Sequence, residues 1–346
     1  MKRLLHFIKT FGRLKNYLRE RARYVTFGKL VNVMKVEWAL LRRKEMVRGY
    51  PYEIIVDLTN ICQLKCPLCA TGAGLSAKKK GYMQFETFRK IIDELGPYAL
   101  HIYLHNWGES LFHKEIIRFI QYAKTYKVAI SVSTNLSFPL TREEADAFIT
   151  SGLDTMVLSI DGASKETYMR YRVGGNFDLA LHNAKLLVET KKKLRNKKPF
   201  LEWQFLKMKH NIHEIDKAKA MAQEIGVDSI SFGTVVLPFG VNDGNLAEKW
   251  LPADELKKRM RYDIQDGDIG KRCWWLWRAV IFNWDGTVSP CCYVEGEMAV
   301  FGNILDTDFK NIWNNKDYIS ARSLFANKKP EKNVICRECG VFLTRR

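Results

Sequence analysis

Along the chain, short runs of β-branched and aromatic residues alternate with stretches whose apolar positions recur every three to four residues. Runs at 53–57, 100–105, 129–134, 155–160, 200–208 and 229–236 have the make-up of strands. The segments 86–95, 114–126, 141–151, 177–193 and 212–225 have helical periodicity. Thr141 followed by Glu144 is a capping-box sequence, and Gly152 and Gly226 stand where helices should stop. Strands alternating with helices pair in parallel through right-handed crossovers. The expected fold is therefore α/β: a partial (β/α)6 TIM-like barrel over 51–240, with its chemistry at the C-terminal ends of the strands. The rhythm stops after Gly240, and 241–272 reads as a linker holding one short helix-like piece. From 273 to 346 the chain turns aromatic and cysteine-rich, which predicts a small second domain walled by Trp274, Trp275, Trp277 and Trp284.

Charge changes the picture at the N-terminus. Residues 1–50 carry 14 Lys or Arg against 3 Glu, a net of +11, whereas the remaining 296 residues hold +7. Leu4, Phe7, Ile8, Phe11, Leu14 and Leu18 recur at helical spacing among Lys2, Arg3, Lys9, Arg13, Lys15 and Arg19. Residues 1–50 thus read as a basic amphipathic helical extension. Its segment 2–20 is suited either to lying on an anionic membrane or to packing on its own domain with the charges solvated. No apolar run approaches the roughly 18 residues of a membrane span, and no secretory signal is visible. The expected location is cytoplasmic, or peripheral at the inner face of the membrane. Nucleic acid is not an expected partner, because charge without a recognition fold or a stacking platform does not specify it.

The eight cysteines are clustered. In a reducing compartment this points to metal or cluster ligation rather than to disulfides. Cys62, Cys66 and Cys69 follow the first strand directly. Three thiolates on one short loop can hold three irons of a 4Fe-4S cluster and leave the fourth open. A structural zinc site would call for four ligands, usually as CxxC pairs.

A CxxxCxxC triplet after the first strand of a partial barrel resembles the signature of the radical S-adenosylmethionine (SAM) superfamily. The resemblance implies that SAM chelates the open iron through its amino and carboxylate groups and is cleaved to a 5′-deoxyadenosyl radical that takes a substrate hydrogen. After the second strand, Asn106-Trp107-Gly108-Glu109-Ser110 is similar to the family's Gly-Gly-Glu-Pro motif for the SAM amino group, with Trp107 and Ser110 as departures. Ser133 and Asn135 fall in the segment that reaches the SAM ribose and methionine. Ser159, Asp161 and Arg172 resemble the S-x-D-G … Y-x-x-x-R run of SPASM-type members, which implies that Ser159 and Arg172 bind the SAM carboxylate, Arg by its two-donor fork. Leu68 replaces an aromatic that commonly packs near the adenine, and Val235 is a candidate for the adenine side. At the C-terminus, Cys273, Gly286, Cys291, Cys336 and Cys339 look like the abbreviated twitch form of a SPASM domain. That implies one auxiliary 4Fe-4S cluster on the four cysteines, with zinc as the rival and Cys292 outside the set.

The resulting expectation is a radical SAM enzyme, oxidoreductase-like, that oxidises or cross-links its substrate with help from the auxiliary cluster. A flavodoxin or ferredoxin would donate electrons. The basic start favours a sugar or lipid-linked small molecule as substrate. A ribosomal peptide is the alternative, for which 50 residues are too few to form a leader-binding domain of about 80. A non-enzymatic zinc or nucleic-acid-binding protein would require the SAM motifs to be accidental.

Overall fold

The computed structural model describes residues 20–74, 79–235, 237, 239, 244–256, 273–294 and 296–339. The predicted segment 2–20, apart from Glu20, lies outside the described residues, as does 257–272 of the predicted linker. A helix α1 (Phe27–Leu41) precedes the barrel. Then come β1 (Glu53–Val56), α2 (Phe85–Leu95), β2 (His101–Tyr103), α3 (Ile116–Lys124), β3 (Ala129–Thr134) and α4 (Arg142–Thr150). They are followed by β4 (Thr155–Ser159), α5 (Lys165–Tyr171), α6 (Phe177–Lys193), β5 (Phe200–Lys207), α7 (Ile215–Ile225) and β6 (Ser229–Thr234). The six expected strands are all present, and β1 to β6 pair in parallel, each with the next.

Local chemistry explains the elements. Helix α2 buries Phe88, Ile91, Ile92 and Leu95, the i, i+3, i+4, i+7 stripe of a helix packed on a sheet. Each such side chain contributes about 1.5–3 kcal/mol of burial. The capping box of α4 forms: Glu144 N–H donates to Thr141 Oγ1 at 3.1 Å, and Thr141 N–H donates to Glu144 Oε2 at 2.8 Å. Gly226 ends α7 at φ +87°, a left-handed turn that a Cβ would strain. Two predicted spans need correction. The segment 212–225 opens with a 3-10 turn, Ile212–Glu214, before α7 begins. Helix α5 is absent from the sequence-based expectation; it is seven residues capped by Ser164, too short to show a period.

The larger difference lies at the C-terminus. The linker before it holds the short helical piece expected there, α8 (Gly244–Trp250). After α9 (Trp275–Arg278), strand β7 (Ala279–Phe282) pairs in parallel with β1, Glu53 opposite Ala279 and Val56 opposite Phe282. Strands β8 (Thr287–Ser289) and β9 (Gly302–Asn303) follow antiparallel, and α10 (Phe309–Trp313) and α11 (Lys316–Phe325) cover them. The described residues form one sheet of nine strands in the order β6-β5-β4-β3-β2-β1-β7-β8-β9. The cysteine-rich segment is thus continuous with the barrel sheet. The tryptophan wall is also corrected: Trp277 is fully buried, but Trp274 is 38% exposed and stacks on Trp275, and the Trp284 ring lies against Gly81 of the barrel.

Polar anchors fix the two ends of the chain. Arg21 donates to both carboxylate oxygens of Glu53, at 3.0 and 2.6 Å, and Tyr24 O–H donates to Asp154 at 2.7 Å. These contacts close the N-terminal end of the sheet. Arg322 is fully buried between the rings of Trp313 and Tyr318. It donates to the carbonyls of Leu276, Glu45 and Trp313, tying α11 to both the β7 side and the chain before β1.

Candidate active site

The loop after β1 is held by its own polar residues. Thr59 Oγ1 donates to Gly81 O at 2.7 Å and accepts from Ile61 N–H, while Asn60 Nδ2 donates to Lys79 O. The loop then turns at Cys66, where Cys69 N–H donates to Cys66 O at 3.1 Å. Gly108 makes this geometry possible. A Cβ there would stand 1.9 Å from the Thr59 carbonyl oxygen, so only glycine lets the loop after β2 lie against the cysteine loop. The two loops are joined by Glu109 N–H donating to Ile61 O at 2.8 Å, and by Trp107 N–H donating to Asp57.

Most of the sequence-predicted residues meet at this end. Asn135 Nδ2 donates to Glu109 Oε2 at 2.6 Å and lies 3.8 Å from the Cys62 sulfur. Asn135 N–H donates to the same carboxylate oxygen at 2.8 Å. Burial pushes Glu109 up to about 7, against hydrogen bonds from Asn135, Thr134 and Leu111. Ser133 and Ser159 share a hydroxyl–hydroxyl hydrogen bond of 3.0 Å. Arg172 caps α5 and donates through Nε and an Nη to one oxygen of Asp161, at 2.7 and 2.6 Å. Its positive charge also acts on the Cys66 thiol, opposing the effect of burial there. Burial alone would lower the Arg172 pKa, but the Asp161 charge holds it well above its ordinary value. Two donors of the predicted carboxylate fork are therefore occupied by Asp161.

Sequence reasoning missed several neighbours. Gln63 Nε2 donates to Asn135 Oδ1 at 2.9 Å and to Ser137 O, steadying the cysteine loop from inside. Leu68, the position lacking an aromatic, is buried with Leu64, Cys66, Tyr171 and Val235 against Trp250 of α8. Trp250 meets Tyr171 edge-on at 5.7 Å, so the predicted linker packs on the cysteine loop. A lone Trp in a polar stretch was the available signal.

The donor chemistry fits an iron–sulfur cluster with a polar ligand beside it. Burial pushes the Cys62 thiol up to about 12 and the Cys66 thiol up to about 11, Arg172 opposing the latter. Thiols this buried hold their protons until a metal displaces them. Asn106 Nδ2 and His105 Nδ1 are buried at the end of β2 with no protein partner among the described residues. In the C-terminal segment, Cys273, Cys291 and Cys336 are raised chiefly by burial, and each feels the charge of Cys339. The four cysteines thus lie near enough to act on one another's charge. Cys292 bears on its chain neighbour Cys291 and is itself raised to about 11 by burial. Among the described residues no three Cys, His, Asp or Glu side chains converge on a single-ion site. A four-iron cluster, with its thiolates on separate irons, does not require such convergence.

Comparison with known proteins agrees with this geometry. The radical SAM superfamily model matches residues 56–195, and the SPASM iron-sulfur cluster-binding domain model matches 273–340. The AdoMet-dependent heme synthase of Methanosarcina barkeri is 27% identical over 51% of this chain, which spans 48% of that protein. The mycofactocin maturase MftC of Mycolicibacterium smegmatis is 24% identical over 83% of this chain and 74% of its own length. Streptococcus suis SuiB bound to precursor peptide SuiA superposes with a TM-score of 0.64 at 16% identity, covering 91% of this chain and 74% of that one. With both family models falling on the two cysteine sets, the chain belongs to the radical SAM superfamily, in its SPASM/twitch subgroup, and is a radical SAM enzyme that uses SAM and 4Fe-4S clusters.

Proposed function

We propose that this enzyme oxidises or cross-links a peptide, with Cys62, Cys66 and Cys69 holding the radical-generating cluster and Cys273, Cys291, Cys336 and Cys339 the auxiliary one. When bound, SAM and the reduced cluster supply a 5′-deoxyadenosyl radical able to abstract hydrogen. The chain's residues position that chemistry. Glu109 and the free amide of Asn106 would hold the SAM amino end, the Ser133–Ser159 pair would offer hydroxyls to its polar groups, and Arg172, fixed by Asp161, would supply its remaining donors. The four C-terminal cysteines make a full set of thiolates and leave no coordination position for substrate, which supports an oxidative outcome.

The observation that carries the substrate class is the extent of likeness. The maturase relative aligns over 83% of the chain, whereas the heme synthase match covers 51%. The peptide alternative therefore has better support than the sugar or lipid-linked molecule, which rested on the basic N-terminal segment. The test is anaerobic reconstitution, with dithionite and SAM, and with synthetic peptides copying short reading frames beside the gene. The parent should form 5′-deoxyadenosine and change one peptide's mass by loss of two hydrogens; Cys66→Ala should do neither. Full SAM cleavage in Cys66→Ala would overturn the cluster assignment. Cleavage by the parent with no peptide altered would overturn the substrate class.

A further inference from the structure

Helix α1 is turned inside out. Its inward face carries Lys29, Asn32, Val36 and Ala39, all buried, while Phe27, Leu30, Met34, Trp38 and Leu41 face solvent, from 46% exposed at Leu30 to 83% at Phe27. At 100° per residue these five fall within an arc of about 80°, and at 1.5 Å per residue the ridge runs about 21 Å. The register is pinned by polar anchors. Lys29 Nζ donates to the carbonyls of Tyr126 and Lys127, at 3.0 and 2.7 Å, and Asn32 exchanges two 2.8 Å hydrogen bonds with the Tyr50 backbone. Rotating the helix to bury the large side chains would break four hydrogen bonds and leave a lysine without them. The outward ridge is therefore set by the sequence.

The charges around the ridge are of one sign. Arg23, Lys35, Arg42, Lys44 and Arg48 are exposed, and Arg42 lies over the Trp38 ring. The acidic residues of the same stretch are engaged elsewhere: Glu37 with Arg278 and Tyr52, Glu45 with Lys328 and Ser323. We infer that α1 is an interfacial helix that seats the enzyme on an anionic lipid surface through Phe27, Leu30, Met34, Trp38 and Leu41. Two other occupants are disfavoured by charge. A second copy would set this basic rim against itself. Residues 1–19 carry six Lys or Arg and no acid, so they share the rim's repulsion and its preference for an anionic surface. The protruding convex ridge suits a soft bilayer better than a helical peptide, which needs a groove. No described helix is long and apolar enough to cross a membrane, so the contact lies in the interface plane.

The geometry also orients the enzyme. The anchors Tyr50 and Lys127 precede β1 and β3, placing α1 at the N-terminal ends of the strands. The cysteine loop at the opposite ends then faces away from the lipid.

The test uses the full chain with phosphatidylcholine vesicles, with and without phosphatidylglycerol, read by co-sedimentation. Binding should require the anionic lipid and weaken with salt. Leu30→Ser/Met34→Ser/Leu41→Ser should lower partitioning roughly tenfold or more, with melting temperature and SAM cleavage unchanged. Lys35→Glu/Arg42→Glu should weaken binding without touching the apolar ridge, which keeps the test decisive if the triple variant folds poorly. Deleting 2–19 should leave measurable binding. A chain that ignores both vesicles, a deletion that abolishes binding while the ridge variants retain it, or retention of an acidic amphipathic peptide in place of vesicles overturns the inference. SAM cleavage measured on the same samples reports separately on the proposed catalysis.

Discussion

Replacing Gly108 with alanine isolates the contact that joins the two site loops. The new Cβ would lie 1.9 Å from Thr59 O, 2.7 Å from Thr59 C and 3.0 Å from Ile61 N, all backbone atoms that no rotamer change can move. Restoring an ordinary contact of about 3.4 Å means opening the loops by about 1.5 Å. That displacement would break the Glu109 N–H to Ile61 O bond and the Trp107 N–H to Asp57 bond. Two hydrogen bonds at about 1 kcal/mol each, plus an overpacking cost of about 1–3 kcal/mol, give a destabilisation of about 3–5 kcal/mol. Function should fall further than stability. Ile61 adjoins Cys62, and misplacement of a reacting centre by about 1 Å can cost 100-fold in rate. The assays are thermal unfolding, iron content and 5′-deoxyadenosine formation. Gly28→Ala is the control: it lies in α1, its added Cβ would meet nothing within 4 Å, and it should stabilise by about 0.5–1 kcal/mol. A Gly108→Ala protein within about 0.5 kcal/mol of the parent and equally active would refute the close-approach argument.

Three further outcomes are expected. Burial opposes ionisation of Asp154, but Lys124 and Lys198 hold its carboxyl below the usual range, so its stabilising contribution is present above pH 3.8 and is lost as pH falls through the folded value. Asp154→Asn should therefore flatten the acid limb of a stability-versus-pH curve and cost about 3–5 kcal/mol at neutral pH; parallel curves would contradict this. Arg322→Ala should destabilise by a similar amount, since it leaves the carbonyls of Leu276, Glu45 and Trp313 buried and unpaired; a melting temperature equal to the parent's would show that water replaces the guanidinium. Finally, the protein lacking Cys62, Cys66 and Cys69 should retain about four irons per chain on its C-terminal cysteines. Stoichiometric zinc without iron there would remove the auxiliary cluster and the oxidative outcome with it.

Much of the barrel was legible because its signals are local. Alternation of β-branched runs with i, i+3, i+4 stripes is a property of neighbouring residues, and the capping box at Thr141 is written within four positions. The cysteine loop was legible for the same reason, its spacing being chemistry in itself. What escaped was set by partners remote in sequence. Residues 1–50 read as a helical extension, but the stripe read there lies before Arg19; the outward ridge of α1 went unread because Lys29 and Asn32 set it by bonding backbone groups beyond the helix. Asp161 and Arg172 were recognised as site residues, yet their mutual ion pair depends on how β4 and α5 meet. Trp274 and Trp277 are nearly adjacent in an aromatic run, and only packing determines that one is exposed and the other enclosed.

The pairing of β7 with β1 has a consequence for anyone dissecting the protein. It makes β1 an interior strand although its neighbour is made more than two hundred residues later. A fragment ending before 273 would leave the β7-facing N–H and C=O groups of Glu53–Val56 without their strand partner, an open border that is a template for edge-to-edge association. During synthesis the same border stands open until the final quarter of the chain emerges, so the nascent barrel is exposed to misassembly in proportion to that delay. Truncations meant to isolate the catalytic half would thus test aggregation before they tested catalysis, and supplying 273–346 as a separate polypeptide should recover soluble barrel by closing that border.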